Sequence, residues 1–156
     1  MSDIAHMVLF LLKRRPLPPT FVAGCRLGHM TKKIIKKDAT VLLIDSIIEG
    51  MQERKAKDIV VIDLRNIEFA MTDYFVICHG NSTTQVQAIA QSVEEQTLKL
   101  SNEKPWHIEG QRQSNWILMD YVHVVVHVFE DQTRKHYALE ELWSDGEFEK
   151  IASSES

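Results

Sequence analysis

The stretch Asn115 to Glu130, N-W-I-L-M-D-Y-V-H-V-V-V-H-V-F-E, is the densest run of β-forming residues in the chain and constrains the fold more than any other. β-Branched and aromatic side chains pack well on a pleated surface. The run therefore predicts two strands, Trp116 to Met119 and Val122 to Phe129, joined at Asp120-Tyr121. A strand nearly continuous in valine suits a place in a sheet that is covered on both faces. His123 and His127, four apart, are expected on one side of it.

Around this run the chain alternates between helical and extended patterns. Val41, Leu42, Ile44, Ile47, Ile48 and Met51 recur at three- and four-residue spacing, predicting a helix from Asp38 to between Glu53 and Lys57. Asp58 to Leu64 and Tyr74 to Cys78 are apolar runs of strand length. Gly80-Asn81-Ser82 is turn chemistry, with Ser82 or Thr83 as helix N-cap. The following helix runs to about Leu100 and is expected to turn Val86, Ile89, Ala90, Val93 and Leu98 inward. Pro105 precedes a short strand, Trp106 to Ile108. Beyond Glu130, Asp131 to Lys135 opens a helix, Tyr137 to Trp143 continues it or starts another, and Ser144-Asp145-Gly146 stops it. The order α, β, β, α, β, β, β, α predicts an α/β or α+β domain, a mixed five-stranded sheet with flanking helices.

A chain of 156 residues, 44% hydrophobic, is the size of one domain with a proper core. Its charge is unevenly placed. From Asp38 onward there are ten Lys and Arg against 21 Asp and Glu, a net charge near −11. Such a body repels phosphate backbones and suits a basic protein partner, so little direct nucleic-acid binding is expected. The first 29 residues differ from the rest. Val8 to Leu12 is too short to span a bilayer, which takes about 20 residues. The order of charge and apolar run is wrong for a secretory signal, and Val22-Ala23-Gly24-Cys25 lacks the apolar run that a lipoprotein signal carries before such a box. Residues 1–29 are read as a disordered or mis-assigned extension, 30–150 as the domain, and 151–156 as a disordered tail. Cys25 and Cys78 form no disulfide framework or C-x-x-C knuckle and are expected to be reduced.

Several blocks then combine. D-I-V-V-I-D-L at Asp58 to Leu64, T-D-Y-F-V-I-C-H-G-N-S at Thr72 to Ser82 and Q-V-Q-A-I-A at Gln85 to Ala90 resemble the ribosomal silencing factor, or Iojap-related, family. So do W-I-L-M-D-Y at Trp116 to Tyr121, V-V-V-H-V-F at Val124 to Phe129 and Y-A-L-E-E-L-W at Tyr137 to Trp143. The resemblance spans Asp38 to about Gly146, in the family's order. It implies a nucleotidyltransferase-like mixed sheet without catalytic carboxylates, and a cytoplasmic protein with no enzyme activity and no cofactor. The implied partner is the large ribosomal subunit, bound through the basic ribosomal protein L fourteen. Binding there blocks association with the small subunit and represses translation when nutrients are short; organelle members act in large-subunit assembly. One departure stands out: the family usually continues Asp120-Tyr121 with Gly-Asp, where this chain has Val122-His123.

The residues expected to meet the partner are Trp116, Met119, Asp120, Tyr121, His127, Glu130, Glu140 and Trp143. The aromatic ones are of the kind that anchor interfaces, and the acidic ones can meet lysine or arginine. Asp120 is the hardest to explain as structure, because it interrupts two apolar strands. A homodimer through the same surface is an open alternative when the protein is free. The competing class is a nucleotidyltransferase-like enzyme, with Gly80-Asn81-Ser82 holding phosphate. Metal-assisted transfer needs paired carboxylates, and the pairs on offer, Asp58 with Asp63 and Glu147 with Glu149, are expected on opposite strand sides or in a frayed end. His107, His123 and His127 could approach one another without requiring a metal, and none is expected.

Overall fold

The computed structural model describes residues 26–152, of which 26–38 are described by their helical backbone alone. Expectations placed on residues 1–25 and 153–156 lie outside it. In chain order the elements are α1 (Arg26–Glu53), β1 (Lys57–Asp63), β2 (Tyr74–Gly80), α2 (Thr83–Ser101), β3 (His107–Glu109), β4 (Trp116–Asp120), β5 (Val124–Glu130), α3 (Asp131–Tyr137), α4 (Leu139–Leu142) and β6 (Glu147–Lys150).

The sheet has six strands in the order β3-β4-β5-β2-β1-β6, with β2 and β5 parallel and every other pair antiparallel. The valine-rich β5 lies inside the sheet between β4 and β2, and its first six residues are buried. Val124, Val126 and Val128 join the core under α1 and α2. Val125 and Phe129 join a second core on the opposite face, closed by Leu139 of α4, with Ile67, Ala70, Tyr137 and Trp143 packed against it. Burial on both faces is the physical reason for the valine run.

The two long helices sit on the first face. Val86, Ile89 and Val93 of α2 are wholly buried, each contributing about 1.5–3 kcal/mol relative to exposure. A Cβ on Gly50 would stand 2.7 Å from the Val93 Cα, so only glycine lets α1 approach α2 this closely. Ser82 caps α2, its Oγ accepting from the Gln85 N–H at 3.2 Å.

Several expectations are corrected. The sheet has a sixth strand, β6, pairing Val60 with Lys150 through Asp63 with Glu147. All four of its residues are exposed, so no apolar alternation marks it. Gly146 makes the strand possible, since a Cβ there would meet the Ile62 Cγ2 at 2.5 Å. The first helix begins at Arg26, not Asp38, and its buried stripe is Leu43, Ile47 and Met51, leaving Val41 and Leu42 exposed. Leu98 is exposed while Gln96 and Thr97 are buried in its place, because the Thr97 hydroxyl bonds the Tyr121 hydroxyl at 3.0 Å. The strand expected at Val122 starts at Val124, because Val122 has φ +77° and cannot continue a ladder. His123 therefore sits in the turn, apart from the His127 face. Of the two alternatives for Tyr137 to Trp143, the second helix is the one found: Ala138, at φ +45°, ends α3 and makes α4 separate. Among the described residues, no helix is long and apolar enough to cross a membrane.

Candidate partner-binding face

The sheet face opposite α1 and α2 carries an aromatic cluster. β4 and β5 place Trp116, His127 and Phe129 on it by their period of two. Trp116 stacks on Phe129, its cross-strand partner, with ring centroids 4.8 Å apart, and lies 5.3 Å from Tyr137 of α3. His127 meets Phe75 edge-on at 4.7 Å, and Phe75 meets Trp143 edge-on at 5.5 Å. Such offset and edge contacts add about 0.5–1.5 kcal/mol per pair beyond burial.

One hydrogen bond fixes the centre of this cluster. The Trp116 indole Nε1–H donates to His127 Nδ1 at 3.1 Å. His127 is wholly buried, and burial pushes its pKa down to about 3. The ring is thus neutral, with Nδ1 accepting and the proton assigned to Nε2, which has no hydrogen-bond partner among the described residues.

The structure separates the remaining expected residues. Met119 and Tyr121 point to the α1–α2 face and are buried there, and burial pushes the Tyr121 hydroxyl up to about 12. Asp120 is 3% exposed, and its Oδ1 accepts the Val122 N–H at 2.7 Å while its carbonyl accepts the Trp106 N–H at 2.7 Å. Its carboxylate thus holds the β4–β5 turn, which accounts for an acid between two apolar strands. Glu130 is half-buried at the start of α3. Glu140 accepts from Arg134, at 2.5 Å from Nη2 and 3.3 Å from Nε. Trp143 is half-buried against the cluster. Trp116 and Trp143 are thus brought to one face, with His127 beneath them, whereas Met119 and Tyr121 lie on the other.

Sequence reasoning missed Tyr137, which touches Trp116, and two exposed apolar side chains on the segments flanking the cluster. Phe69 is 84% exposed in the β1–β2 loop, whose Ile67 and Ala70 pack on this face, and Leu142 is 76% exposed on α4. Tyr137 stands in the Y-A-L-E-E-L-W block, but the break at Ala138 resets helical phase, so spacing does not align it with Trp143.

A cleft of about 670 Å³ is lined by residues including Asp58, Ile59, His79, Asp131, Arg134 and Glu141. Its centre is the buried Arg134, whose Nη1 donates to the Asp58 carbonyl at 2.8 Å and to His79 Nδ1 at 2.9 Å. Burial, then the neighbouring guanidinium, lowers the His79 pKa. The guanidinium is committed to these groups and to Glu140, so it braces α3 against the irregular start of β1, where Asp58 has φ +48°. At Gly80-Asn81-Ser82, the Asn81 N–H is taken by the Gln85 side chain at 2.8 Å and the Ser82 hydroxyl by the cap. Asp63 is held by Arg65, which lowers its pKa. Among the described residues no group of three His, Cys, Asp or Glu is placed to hold a metal ion.

The family described as ribosomal silencing factor during starvation matches residues 37–156. The chain is 37% identical over 107 residues to the ribosomal silencing factor of Halalkalibacterium halodurans, covering 66% of this chain and 86% of that one. It is 42% identical over 93 residues to the Bacillus subtilis ribosomal silencing factor, covering 60% and 77%. A mouse protein named mitochondrial assembly of ribosomal large subunit protein 1 is 33% identical over 65% of this chain and 45% of its own. A crystal structure from Bacillus halodurans aligns with TM-score 0.58 at 34% identity, covering 70% of this chain and 96% of that one. Another, from Chromobacterium violaceum, aligns with TM-score 0.59 at 28% identity, covering 77% and 92%. Fold, motif blocks and the match over residues 37–156 agree, and the chain belongs to the ribosomal silencing factor family.

Proposed function

We propose that this chain is a noncatalytic, cytoplasmic factor that docks on the large ribosomal subunit through the basic ribosomal protein L fourteen, blocks association with the small subunit and represses translation under nutrient limitation. The observation that supports this reading best is the aromatic face. Trp116, only 8% exposed and fixed by His127, is a rigid layer beneath the half-exposed Tyr137 and Trp143, with Phe69 and Leu142 standing out from the bordering segments. Open aromatic and apolar side chains held over a rigid aromatic layer are what a protein partner buries at the centre of an interface. The acidic body supplies attraction toward a basic partner.

Sucrose-gradient separation of purified subunits, with and without the protein, tests it. The expected result is cosedimentation with the large subunit and fewer joined ribosomes, with Tyr137→Ala or Leu142→Ala weakening cosedimentation by about tenfold or more, as for hot-spot truncations. Undiminished joining with no cosedimentation refutes it. A second reading, a factor for large-subunit assembly, is favoured by the name of the mouse relative. Depletion that leaves large-subunit precursors accumulating, with subunit joining unaffected by added protein, decides for that reading.

A further inference from the structure

The family match begins at residue 37, whereas α1 begins at Arg26. The helix therefore extends upstream of the family domain by about 11 residues, roughly 17 Å at 1.5 Å per residue. Residues 26–37 read R-L-G-H-M-T-K-K-I-I-K-K, with five Lys and Arg and no Asp or Glu. Lys32 with Lys36, and Lys33 with Lys37, are each four apart, one helical turn.

This is the wrong charge for a helix that serves only itself. The N-terminal end of a helix favours acids, because the macrodipole is positive there, yet the first turn of α1 has none. Like charges four apart weaken a helix further. Both effects reverse when a polyanion lies along the arm. The contrast with the body is sharp: Asp38 onward carries ten Lys and Arg against 21 Asp and Glu. The arm, with five Lys and Arg and no acid in twelve residues, has a charge that suits phosphate.

We infer that the helical arm Arg26–Lys37 is a second docking surface, which takes the phosphodiester backbone of structured RNA through Lys32, Lys33, Lys36 and Lys37. The inference builds on the large-subunit reading, since that particle would present both a basic protein to the aromatic face of the acidic body and RNA to the arm. RNA is favoured over an anionic bilayer because residues 26–37 contain no Trp, Tyr or Phe to anchor a helix in a membrane interface. The contact is with the backbone and carries no sequence preference.

Fluorescence anisotropy of the full 156-residue chain with a labelled RNA hairpin, titrated between 50 and 200 mM KCl, tests this. Four neutralised phosphates give a log–log salt slope of about −3.6 and an affinity loss of about 100-fold over that range. The variant K32Q/K33Q/K36Q/K37Q is expected to bind at least 30-fold more weakly at 50 mM and to lose most of the slope, with its thermal melt unchanged. The matching quadruple Arg variant keeps both affinity and slope. Tyr137→Ala lowers subunit cosedimentation but leaves hairpin binding intact, so a failure of the docking-face reading is told apart from a failure of the arm. Absence of hairpin binding at 50 mM overturns the inference. So does binding that the Gln changes leave intact, or binding to phosphatidylglycerol vesicles with none to RNA.

Discussion

Val122→Gly should stabilise the protein, although it removes an apolar side chain. Val122 has φ +77°, and the His123 N–H donates to the Tyr121 carbonyl at 3.1 Å, the geometry of a γ-turn in its rare positive-φ form. A β-branched residue is a true outlier there, and holding it costs about 2–3 kcal/mol, the upper part of the range for strained backbone. Three contacts hold it in place: the Asp120 carboxylate on its N–H at 2.7 Å, the Thr72 hydroxyl on its carbonyl at 3.3 Å, and the Tyr121 N–H donating to the Val124 carbonyl at 2.8 Å. Glycine removes the strain, but frees the unfolded chain by about 0.5–1 kcal/mol. Val122 is 38% exposed, so the lost side-chain burial costs about 1 kcal/mol more. The net expectation is a gain of about 0–1.5 kcal/mol, centred on about 0.7, or a Tm higher by about 2–3 °C at that centre for a domain of this size. Val122→Ala isolates the backbone: it loses similar burial but keeps a Cβ at positive φ. Glycine should therefore outperform alanine by about 1 kcal/mol, the reverse of their order within a helix or strand. Differential scanning calorimetry of the three proteins decides the matter, and a Gly variant melting below the Ala variant refutes the strain argument.

Other expectations follow from buried groups. The His127 pKa stands near 3 when folded against about 6.5 when unfolded, so the unfolded chain binds the extra proton between those values. Stability should therefore be full above about pH 6.5 and fall by up to roughly 5 kcal/mol toward pH 3, with urea midpoints of wild type and His127→Phe converging as pH drops. Asp120→Lys puts a cation where a 3%-exposed carboxylate holds a turn, and should cost about 3–5 kcal/mol in urea denaturation followed by circular dichroism. An Asp120→Lys variant that folds as well as wild type but loses subunit binding would return Asp120 to the interface. Burial pushes the Cys78 thiol up to about 12, so in a Cys25→Ser background Ellman's reagent should label nothing until denaturant is added.

What could be read from the sequence divides along a physical line. Features written as periodicity were legible: the valine run that became the central β5, the α2 stripe Val86, Ile89, Ala90 and Val93, and the Ser82 cap. Features that depend on a backbone reversal were not. Asp120 drew attention as an acid between apolar strands, and only the positive φ at Val122 shows that its carboxylate serves the turn. Ala138 likewise looks like an ordinary helix residue, yet its left-handed conformation breaks α3 from α4 and brings Tyr137 against Trp116. β6 has no apolar pattern because it is an edge strand with every residue exposed, and it is held by register with β1 and by the close approach at Gly146. The same line runs through the candidate face. Trp116 and Trp143 could be named from residue type, but that Tyr137 meets Trp116 depends on the left-handed Ala138, which does not announce itself in composition or spacing. If Val122→Gly stabilises the fold as expected, the turn that buries Asp120 is a strained local solution. The aromatic face, positioned by β4, β5 and the break at Ala138, should then be unaltered by relieving it.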